Sequence, residues 1–557
     1  MHVLGLNYYD HDSAAVLLRD GRIVAAVAEE RLSRRKKDNA FPRLAIRHCL
    51  DRAGIAFGDL DHVAFGWQRP GASFQHDLGC MLRGRIPIAS DYFVQSARRM
   101  IRERHQHGGL RIMEREFGRP RGEVLFVDHH FSHVMSSYLM SGFDKAAVLI
   151  LDGRGAWEST TLWSAAGDAI DLVESYPYPN SLGMAYAAFT EYLGFRPNSD
   201  EWKVMGLAPY GKPGVDIADF LHLNGTRYTV DHRKVMGRHS RDRSRLVARF
   251  GPQRAPESDL DDRHKDIAWA IQDACERAMI HLSRGLLERT GTRKLCLSGG
   301  VALNSKANGA ILASGMVDDI FIQPAATDDG AALGAALGVY ARLGMPLPRQ
   351  TMDHVYLGPD YSDEEIERVL KTFKLTYSRP ADVAVEAARA LSQGKIVGWF
   401  QGRMEFGPRA LGNRSILADP RDPEMKDRVN AVVKFREGWR PFAPSVTEER
   451  GGDYFEGFKP SPFMILTFQV RPGKREVIPA VTHVDGSARV QSVRRDVNPR
   501  YHQLITAFGE ITGVHVVMNT SYNLREEPIV CSPQDAVRTF FSSGLDMLCL
   551  GPFMIVK

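Results

Sequence analysis

The sequence predicts an α/β protein with an internally duplicated first domain and a second, smaller α+β domain. Three observations carry this. A three-strand meander opens the chain, with Val3 to Leu6, Ala14 to Leu18 and Ile23 to Ala28 strand-like around the turn Arg19-Asp20-Gly21. The same pattern returns at Ala146 to Leu151, Ser159 to Trp163 and Ala169 to Glu174, with Ala166-Gly167-Asp168 near its second turn. A stretch with several prolines, from about Gly344 to Pro359, then precedes a region of different character.

Each meander carries a polar, acidic turn after its first strand, Asn7 to Ser13 in one copy and Asp152 to Gly155 in the other. Duplication of this kind places the two turns at a shared cleft, as in actin, sugar kinases and heat-shock chaperones, which hold ATP there. Further along, a helix is expected over about Asp266 to Arg289, and Leu295 to Leu297 is a buried strand ending in Ser298-Gly299-Gly300. The alanine-rich stretch Gly330 to Leu343 reads as a close-packed helix. Helices over Asp363 to Thr372 and Ala381 to Leu391 open the second domain, and the charged segment Lys234 to Asp262 reads as an exposed insertion or loop. The expected division is 1–345, a linker 346–360, and 361–557.

Composition excludes several classes. The chain has 557 residues, 44% hydrophobic and 25% charged, as for a soluble globular protein. No apolar run reaches the roughly eighteen residues of a membrane span. The first residues enter a strand without a basic and apolar leader, so a cytoplasmic location is expected. The six cysteines lack paired spacing, which favours free thiols. A net charge of +5 without a lysine tract fits arginines gathered at an anionic ligand as well as it fits a nucleic-acid surface.

The most distinctive stretch runs from Gly398 to Arg421 and sets Arg403, Arg409 and Arg414 among Gly402, Gly407 and Gly412. Guanidinium forks bind phosphate and carboxylate in pairs of hydrogen bonds, and glycines let main-chain amides approach an anion. A second basic set follows at Lys434, Arg436 and Arg440. The ligand implied is small and heavily charged. In the first domain, His129 and His133 stand four apart on one helical face, which suits two imidazole ligands on one metal. Asp152 closes a strand, and Asp328 lies in Thr327-Asp328-Asp329-Gly330. Two histidines with carboxylates suit iron, zinc or manganese. The ordinary alternative is a capped helix start with buried histidines; the acidic turns at two strand ends favour the metal. Ser298-Gly299-Gly300, leading on to Asn304, offers amides for a phosphate, although a tight turn explains it equally. His11, in the first turn, is a general-base candidate or a solvated turn residue.

Taken together these residues resemble the NodU/CmcH family of carbamoyltransferases, which includes TobZ-like antibiotic-tailoring O-carbamoyltransferases. The resemblance covers nearly the whole chain. Its blocks include Gly5 to Ala15, Asp128 to Tyr138, Leu151-Asp152-Gly153, Asn198 to Gly211, Ser298 to Asn304, Asp328 to Ala336, Gly402 to Arg421, Asn430 to Pro444 and Met518 to Val530. The N-terminal part is also similar to the TsaD family of tRNA threonylcarbamoyl transferases, and the C-terminal part resembles the YrdC-like partner that makes threonylcarbamoyl-adenylate. The fold implied is a duplicated actin-like, TsaD-like (ASKHA) ATP-binding domain followed by a YrdC-like α+β domain.

The resemblance implies a two-step reaction. Carbamoyl phosphate and ATP, with Mg2+, give carbamoyl-adenylate in the C-terminal domain at Arg409, Arg414, Lys434, Arg440, Arg489 and Asn519. The carbamoyl group then passes to a hydroxyl of a small natural product, such as an antibiotic or other secondary metabolite, with His11 as general base. By the same resemblance His129, His133, Asp152 and Asp328 hold a divalent metal, Fe2+ by analogy. Gly153, Lys203, Gly299, Gly300, Asn304 and Asp328 face the nucleotide. Trp439 stands where the family has phenylalanine or tyrosine. Neither nucleic acid nor membrane is expected as a partner, and the reading allows a homodimer. The alternatives are a tRNA threonylcarbamoyl transferase-like enzyme and an actin-fold ATP-binding switch, the latter opposed by the arginine-rich block. The segment Pro70 to Gly118, with Phe74, Tyr92 and Phe93, is read as a substrate-facing cap or a peripheral insertion.

Overall fold

The computed structural model describes residues 1–8, 12–82, 94, 97, 100–101, 108–225, 227–236 and 242–557. His11, Tyr92 and Phe93 therefore lie outside the described residues. The chain forms two compact units, Met1–Glu29 with Asp38–Met352, and Glu30–Lys37 with Asp353–Lys557.

The first unit holds two five-stranded sheets. One is built from β1 (His2–Asn7), β2 (Ala14–Arg19), β3 (Arg22–Ala28), β4 (His62–Phe65) and β5 (Val124–Phe126), in the order β3-β2-β1-β4-β5. The other contains β6 (Lys145–Leu151), β7 (Glu158–Ala166) and β8 (Ala169–Pro177). A separate hairpin, β9 (Leu221–Asn224) and β10 (Arg227–Val230), precedes its last strands, β11 (Lys294–Ser298) and β12 (Asp319–Ile322). Its order, β12-β11-β6-β7-β8, is the same topology read from the other edge. In both sheets an antiparallel meander is extended by parallel strands, β1 with β4 and β6 with β11. The β2–β3 hairpin turns at Asp20 (φ 50°) and Gly21 (φ 77°), two left-handed residues that match the twist of the flanking strands. The long helix spans Asp262–Thr290. The segment read as a loop over Lys234 to Asp262 contains a helix at Ser244–Phe250, in which Leu246 alone is buried; one buried position in so short a helix leaves little periodic signal.

Close packing positions the site of this unit. The helix Asp328–Arg342 crosses β1 at Gly5, where a Cβ would stand 1.9 Å from the Ala332 carbonyl oxygen. It crosses the helix His129–Tyr138 at Gly334, where a Cβ would stand 1.7 Å from the Ser132 carbonyl oxygen. Only glycine permits that approach, and the approach brings Asp328 alongside His129 and His133.

The second unit is built on a seven-stranded mixed sheet. Its strands are β13 (Val397–Phe400), β14 (Arg414–Ala418) and β15 (Ala443–Thr447), then, past a two-stranded ribbon of β16 (Thr467–Gln469) and β17 (Ser487–Arg489), β18 (Gln491–Val493), β19 (Val516–Ser521), β20 (Met547–Leu550) and β21 (Phe553–Val556). The sheet order is β18-β15-β19-β14-β13-β20-β21. The helices Val383–Ser392 and Pro499–Thr512 pack on this sheet over a core of Trp399, Leu417, Tyr501 and Phe508. The segment Glu30–Lys37 belongs to this unit: Arg34 donates to the main-chain oxygens of Ile529 (2.6 Å) and Pro528 (2.8 Å) and pairs with Asp535 (3.3 Å), while Arg31 donates to Gly407 O (3.0 Å). No described helix is long and apolar enough to cross a membrane.

Candidate functional site

Among the described residues each unit carries a cluster of ionisable side chains that bears on function. In the first, Asp128 caps the helix His129–Tyr138 by accepting from Phe131 N at 2.9 Å, and the next turns present His129 and His133 on one face. His129 Nδ1 is bonded to Gly66 O (2.9 Å) and His133 Nδ1 to Ser298 Oγ (3.0 Å). Both rings are thereby oriented so that Nε2 points at two carboxylates. His129 Nε2 lies 3.2 Å from Asp152 Oδ2 and 3.5 Å from Asp328 Oδ1; His133 Nε2 lies 4.0 Å from each. One ligand atom from each of the four residues lies within 4.8 Å of the others, and all four residues are buried.

Metal ions hold such donors about 2.0–2.2 Å away, so donors around one ion stand roughly 3–4 Å apart, as here. The donor set fits in a second way. His133 Nε2 has no hydrogen-bond partner among the described residues, and a buried nitrogen of that kind is costly unless something ligates it. Burial, with the neighbouring His129, pulls the His133 imidazole down to about 3, so it is the neutral ligand form. Burial opposes a charge on His129 too, but Asp328 and Asp152 outweigh it and raise that imidazole. Burial also works against the Asp152 carboxylate, yet the His129 hydrogen bond and the histidine charges hold it well below the usual range. Gly300 N donates to Asp152 Oδ1 (3.2 Å) and Trp67 stacks on His129 at 4.1 Å, so the ligands are themselves held.

The other residues assigned to this unit are partly gathered here. Gly299 has φ 90° and a Cβ would meet Leu151 O at 2.2 Å, so β11 can pass close to the end of β6 only with glycine there. Gly153 follows Asp152 directly. Asn304 caps the helix Ser305–Ala313 and pairs reciprocally with the Gln272 amide, at 3.0 Å each way. Lys203 is held by Asp200 at 3.0 Å and lies over the Phe195 and Trp202 rings. The side chains of Asn304 and Lys203 therefore have protein partners of their own.

The cluster of the second unit is cationic. The arginine–glycine block forms the connection between β13 and β14. Glu405 shapes it: its Oε1 accepts from the amides of Leu411, Asn413 and Arg414 at 2.7, 2.9 and 3.2 Å. Gly412 (φ 100°) lies against the Tyr501 ring, where a Cβ would come within 2.2 Å. The three arginines of the block part company. Arg403 donates to Gly358 O (3.2 Å) and Leu357 O. Arg414 is wholly buried, gives its terminal nitrogens to the carbonyls of Gln401, Gly402, Asn413 and Pro359, and lies 3.6 Å over the Phe400 ring. Both hold main chain. Only Arg409 has a guanidinium with no carboxylate or carbonyl bond among the described residues, and its Nε is buried and unpartnered.

The charge of Arg409 acts on Arg489, Arg436 acts on Arg489 and on Lys434, and Arg440 acts on Lys434 and Arg436. Lys434 closes a π-turn, Asn430–Lys434, and its Nζ bonds neutral oxygens: Ser521 O (2.5 Å), Asn523 Oδ1 (2.9 Å) and Asn523 O (3.1 Å). Burial, then Arg436, Arg440 and Lys36, press its ammonium well below the usual lysine range. Burial brings Arg409 down to about 10, and burial with Arg440 brings Arg436 to about 9. Arg489 is depressed strongly by burial and by Arg409 and Arg436. Glu437 is the one carboxylate paired with this group among the described residues, at 3.0 Å from Arg440. Asn519 ties the floor together: its Nδ2 reaches Gln491 Oε1 (2.8 Å), Ser445 Oγ (3.1 Å) and Ala410 O (3.3 Å), and its Oδ1 is unpartnered. A buried excess of positive charge is unfavourable by itself and favourable once polyanions enter.

Sequence reading had no assignment for Lys36, whose charge reaches Lys434 from the far end of the chain, nor for Glu405 and Gln491, which shape the floor. Lys36 acts on a residue in the far part of the chain, Gln491 reaches Asn519, Ser445 and Leu411, and Glu405 bonds nearby amides but looks like an ordinary polar position; no local pattern marks them.

The model described as Carbamoyltransferase N-terminus matches residues 2–337, and the one described as Carbamoyltransferase C-terminus matches residues 388–557. The chain belongs to the carbamoyltransferase family. It is 41% identical to the uncharacterized protein sll1178 of Synechocystis over 100% of this chain and 97% of that protein. To nodulation protein NolNO of Sinorhizobium fredii it is 41% identical over 99% of this chain and 80% of the relative, and to nodulation protein U of Rhizobium fredii 30% over 92% and 88%. Among solved structures, full-length HypF in a phosphate- and nucleotide-bound form aligns with TM-score 0.36 and 12% identity over 61% of this chain and 55% of that one, a likeness too distant to bear on the argument. As a member of this family the protein is an enzyme that transfers a carbamoyl group.

Proposed function

We infer that this carbamoyltransferase is ATP-dependent and divides its chemistry between the two clusters. The cationic group of the second unit activates the carbamoyl donor. Water cleaves the anhydride bond of carbamoyl phosphate, leaving phosphate and carbamate. A carbamate oxygen then attacks the α-phosphorus of ATP, and pyrophosphate leaves with the electrons of the broken P–O bond. The product is carbamoyl-adenylate. The observation that carries this reading is a set of five cations, with Lys434 and Arg440 buried and Arg409, Arg436 and Arg489 half-buried, against one paired carboxylate among the described residues, an arrangement suited to bringing two polyanions together and neutralising charge as it develops. Mg2+ accompanies ATP in this reading. Asn519 presents an unpartnered Oδ1 at the floor, and Lys434 supplies its charge from a fixed ammonium.

In the first unit an acceptor hydroxyl attacks the carbamoyl carbon, its proton passes to a base, and AMP leaves. The acceptor is a hydroxylated small molecule of secondary metabolism. His129, His133, Asp152 and Asp328 would hold a divalent metal, Fe2+ in this reading, and the bound metal would supply Lewis acidity toward the adenylate's oxygens. The chain's own contributions are the amide of Gly300, fixed on Asp152, and the oriented rings of His129 and His133. His11 remains the base candidate. The actin-like character of the duplicated unit and the YrdC-like character of the second belong to this same reading.

The test is pyrophosphate release from ATP with and without carbamoyl phosphate, alongside a mass-spectrometric screen of hydroxylated metabolites for the carbamoyl mass gain. Pyrophosphate released only when carbamoyl phosphate is present supports the reading. Transfer from carbamoyl phosphate without nucleotide overturns it.

A further inference from the structure

In the first unit the segment 66–82 is tied to two of the elements that supply the His/Asp donors. At its start Gly66 O is bonded to His129 Nδ1 (2.9 Å), and the Trp67 ring stacks on His129 at 4.1 Å. Gln68 Nε2 donates to Asp128, the cap of the helix His129–Tyr138. Farther on, the helix Pro70–Leu82 meets the turn 152–157, which opens with Asp152. Arg154 Nη2 donates to both carboxylate oxygens of Asp77 at 2.7 Å, and the His76 ring lies 4.8 Å from that of Trp157. The segment therefore reaches from His129 to the turn that carries Asp152, whose Oδ2 lies 3.2 Å from His129 Nε2.

The turn is seated on the same donor helix. Gly155 N donates to Glu158 O (2.7 Å), and a Cβ at Gly155 would stand 2.5 Å from His130 Cδ2. Arg154 is aimed by Ala156 O (3.3 Å) and by the Tyr178 ring, 5.2 Å from its guanidinium. A surface helix ordinarily docks by an apolar stripe. This one docks by a charge: among the described residues of the helix Asp77 alone is buried, and Leu82 is 76% exposed. The Arg154 and Asp77 side chains are 11% and 5% exposed. Removing one partner of such a pair leaves the other buried and uncompensated, so the place of the helix depends on both.

We propose that Asp77 and Arg154 are positioning residues for the transfer step: they latch the segment 66–82 across the His/Asp cluster and keep water from the carbamoyl carbon, so that the acceptor hydroxyl takes the group. This rests on the proposed function. The reaction excluded is hydrolysis. Water attacks the carbamoyl carbon, the bond from that carbon to the adenylate oxygen breaks, AMP leaves with the electron pair, and carbamate and a proton are released. Elements that close over a reactive intermediate protect it in this way.

The experiment gives synthetic carbamoyl-adenylate to an excess of the full-length protein without any acceptor and follows AMP formation in a single turnover. The wild-type protein should slow hydrolysis below the rate in buffer. Asp77→Asn and Arg154→Lys should each hydrolyse about tenfold faster than wild type, with wild-type metal content. The exchanged pair Asp77→Arg with Arg154→Asp should restore most of the protection. A wild-type rate equal to that in buffer, a wild-type rate in Asp77→Asn, or metal loss in step with faster hydrolysis overturns the proposal; the last would make the pair a support of Asp152 alone. Should Asp77→Asn lose its cooperative melt, the doubly neutral Asp77→Asn with Arg154→Gln, which leaves no unpaired buried charge, decides by the same criterion. If the wild-type protein releases no pyrophosphate from ATP and carbamoyl phosphate, the proposed function falls. The latch is then read by amide hydrogen exchange: Asp77→Asn should speed exchange about tenfold both in 66–82 and in 129–133. Faster exchange in 66–82 alone, or in neither, overturns it.

Discussion

The two clusters solve opposite electrostatic problems. In the first unit, two imidazoles face two carboxylates within 4.8 Å, and the raised His129 imidazole offsets part of the acidic charge before any ion enters. In the second, five cations stand with one paired carboxylate among the described residues, and burial forces each of the four with resolved shifts toward its neutral form. The first is a group of donors that could hold a metal ion, fixed by packing. The second is a concentration of positive charge that an anionic ligand would relieve. A metal needs donors fixed beforehand, and close helix contact at Gly334 fixes them. A polyanion needs unspent charge, and neutral partners such as Asn430, Asn523 and Phe442 hold the cations without spending it.

This contrast breaks first at Gly334. Gly334→Leu forces the helix His129–Tyr138 off the helix Asp328–Arg342, because even a Cβ would sit 1.7 Å from Ser132 O. The expected cost is about 3 kcal/mol or more, with loss of bound metal and of cooperative melting in the first unit. An unchanged melt with full metal content would show that the close contact does not build the quartet. Next, Lys434→Ala should lower pyrophosphate release by about a hundredfold or more while metal content stays unchanged; near-normal release would move the activation site elsewhere.

A pH titration sharpens the comparison. Arg436, held near 9, loses its proton as pH rises through that value, so affinity for inorganic pyrophosphate should fall through about pH 9. Fold stability should move the other way. Between about 9 and the ordinary value of 12.5 the unfolded chain keeps a proton that the folded chain has released, so this group's contribution to stability rises with pH. Affinity unchanged well above pH 9 would show that Arg436 keeps its charge or does not face the anion. The smallest effect is expected at Arg34. Arg34→Ala removes three hydrogen bonds to main-chain oxygens and the pair with Asp535, and should cost about 1–3 kcal/mol in the second unit, with metal content untouched. An unchanged melting temperature would mean that the segment Glu30–Lys37 adds nothing to that unit.

Much of this was legible in the sequence, for physical reasons. The two meanders announce themselves by alternation and by turn chemistry at Asp20-Gly21, which are local signals. The His129 and His133 pair shows because helical spacing of four is also local. What was not legible depends on partners far along the chain. Arg403, Arg409 and Arg414 look alike in sequence, yet two of them hold carbonyl oxygens and one faces the cations. The role of Glu30–Lys37 depends on Gly407, Pro528, Ile529 and Asp535, and no periodicity encodes them. Arg436 was visible as a basic residue, but its direction relative to Lys434 follows from the left-handed turn at Phe435, a conformation that propensity disfavours and tertiary context imposes.

The central claim is that activation belongs to the cationic cluster and transfer to the His/Asp cluster. The most direct measurement compares carbamoyl transfer by His133→Ala and Lys434→Ala, each assayed with ATP plus carbamoyl phosphate and again with synthetic carbamoyl-adenylate. The account predicts that His133→Ala still releases pyrophosphate but transfers with neither donor, whereas Lys434→Ala releases none and regains transfer when carbamoyl-adenylate is supplied. Rescue of His133→Ala, or equal loss of both half-reactions in both variants, would contradict it.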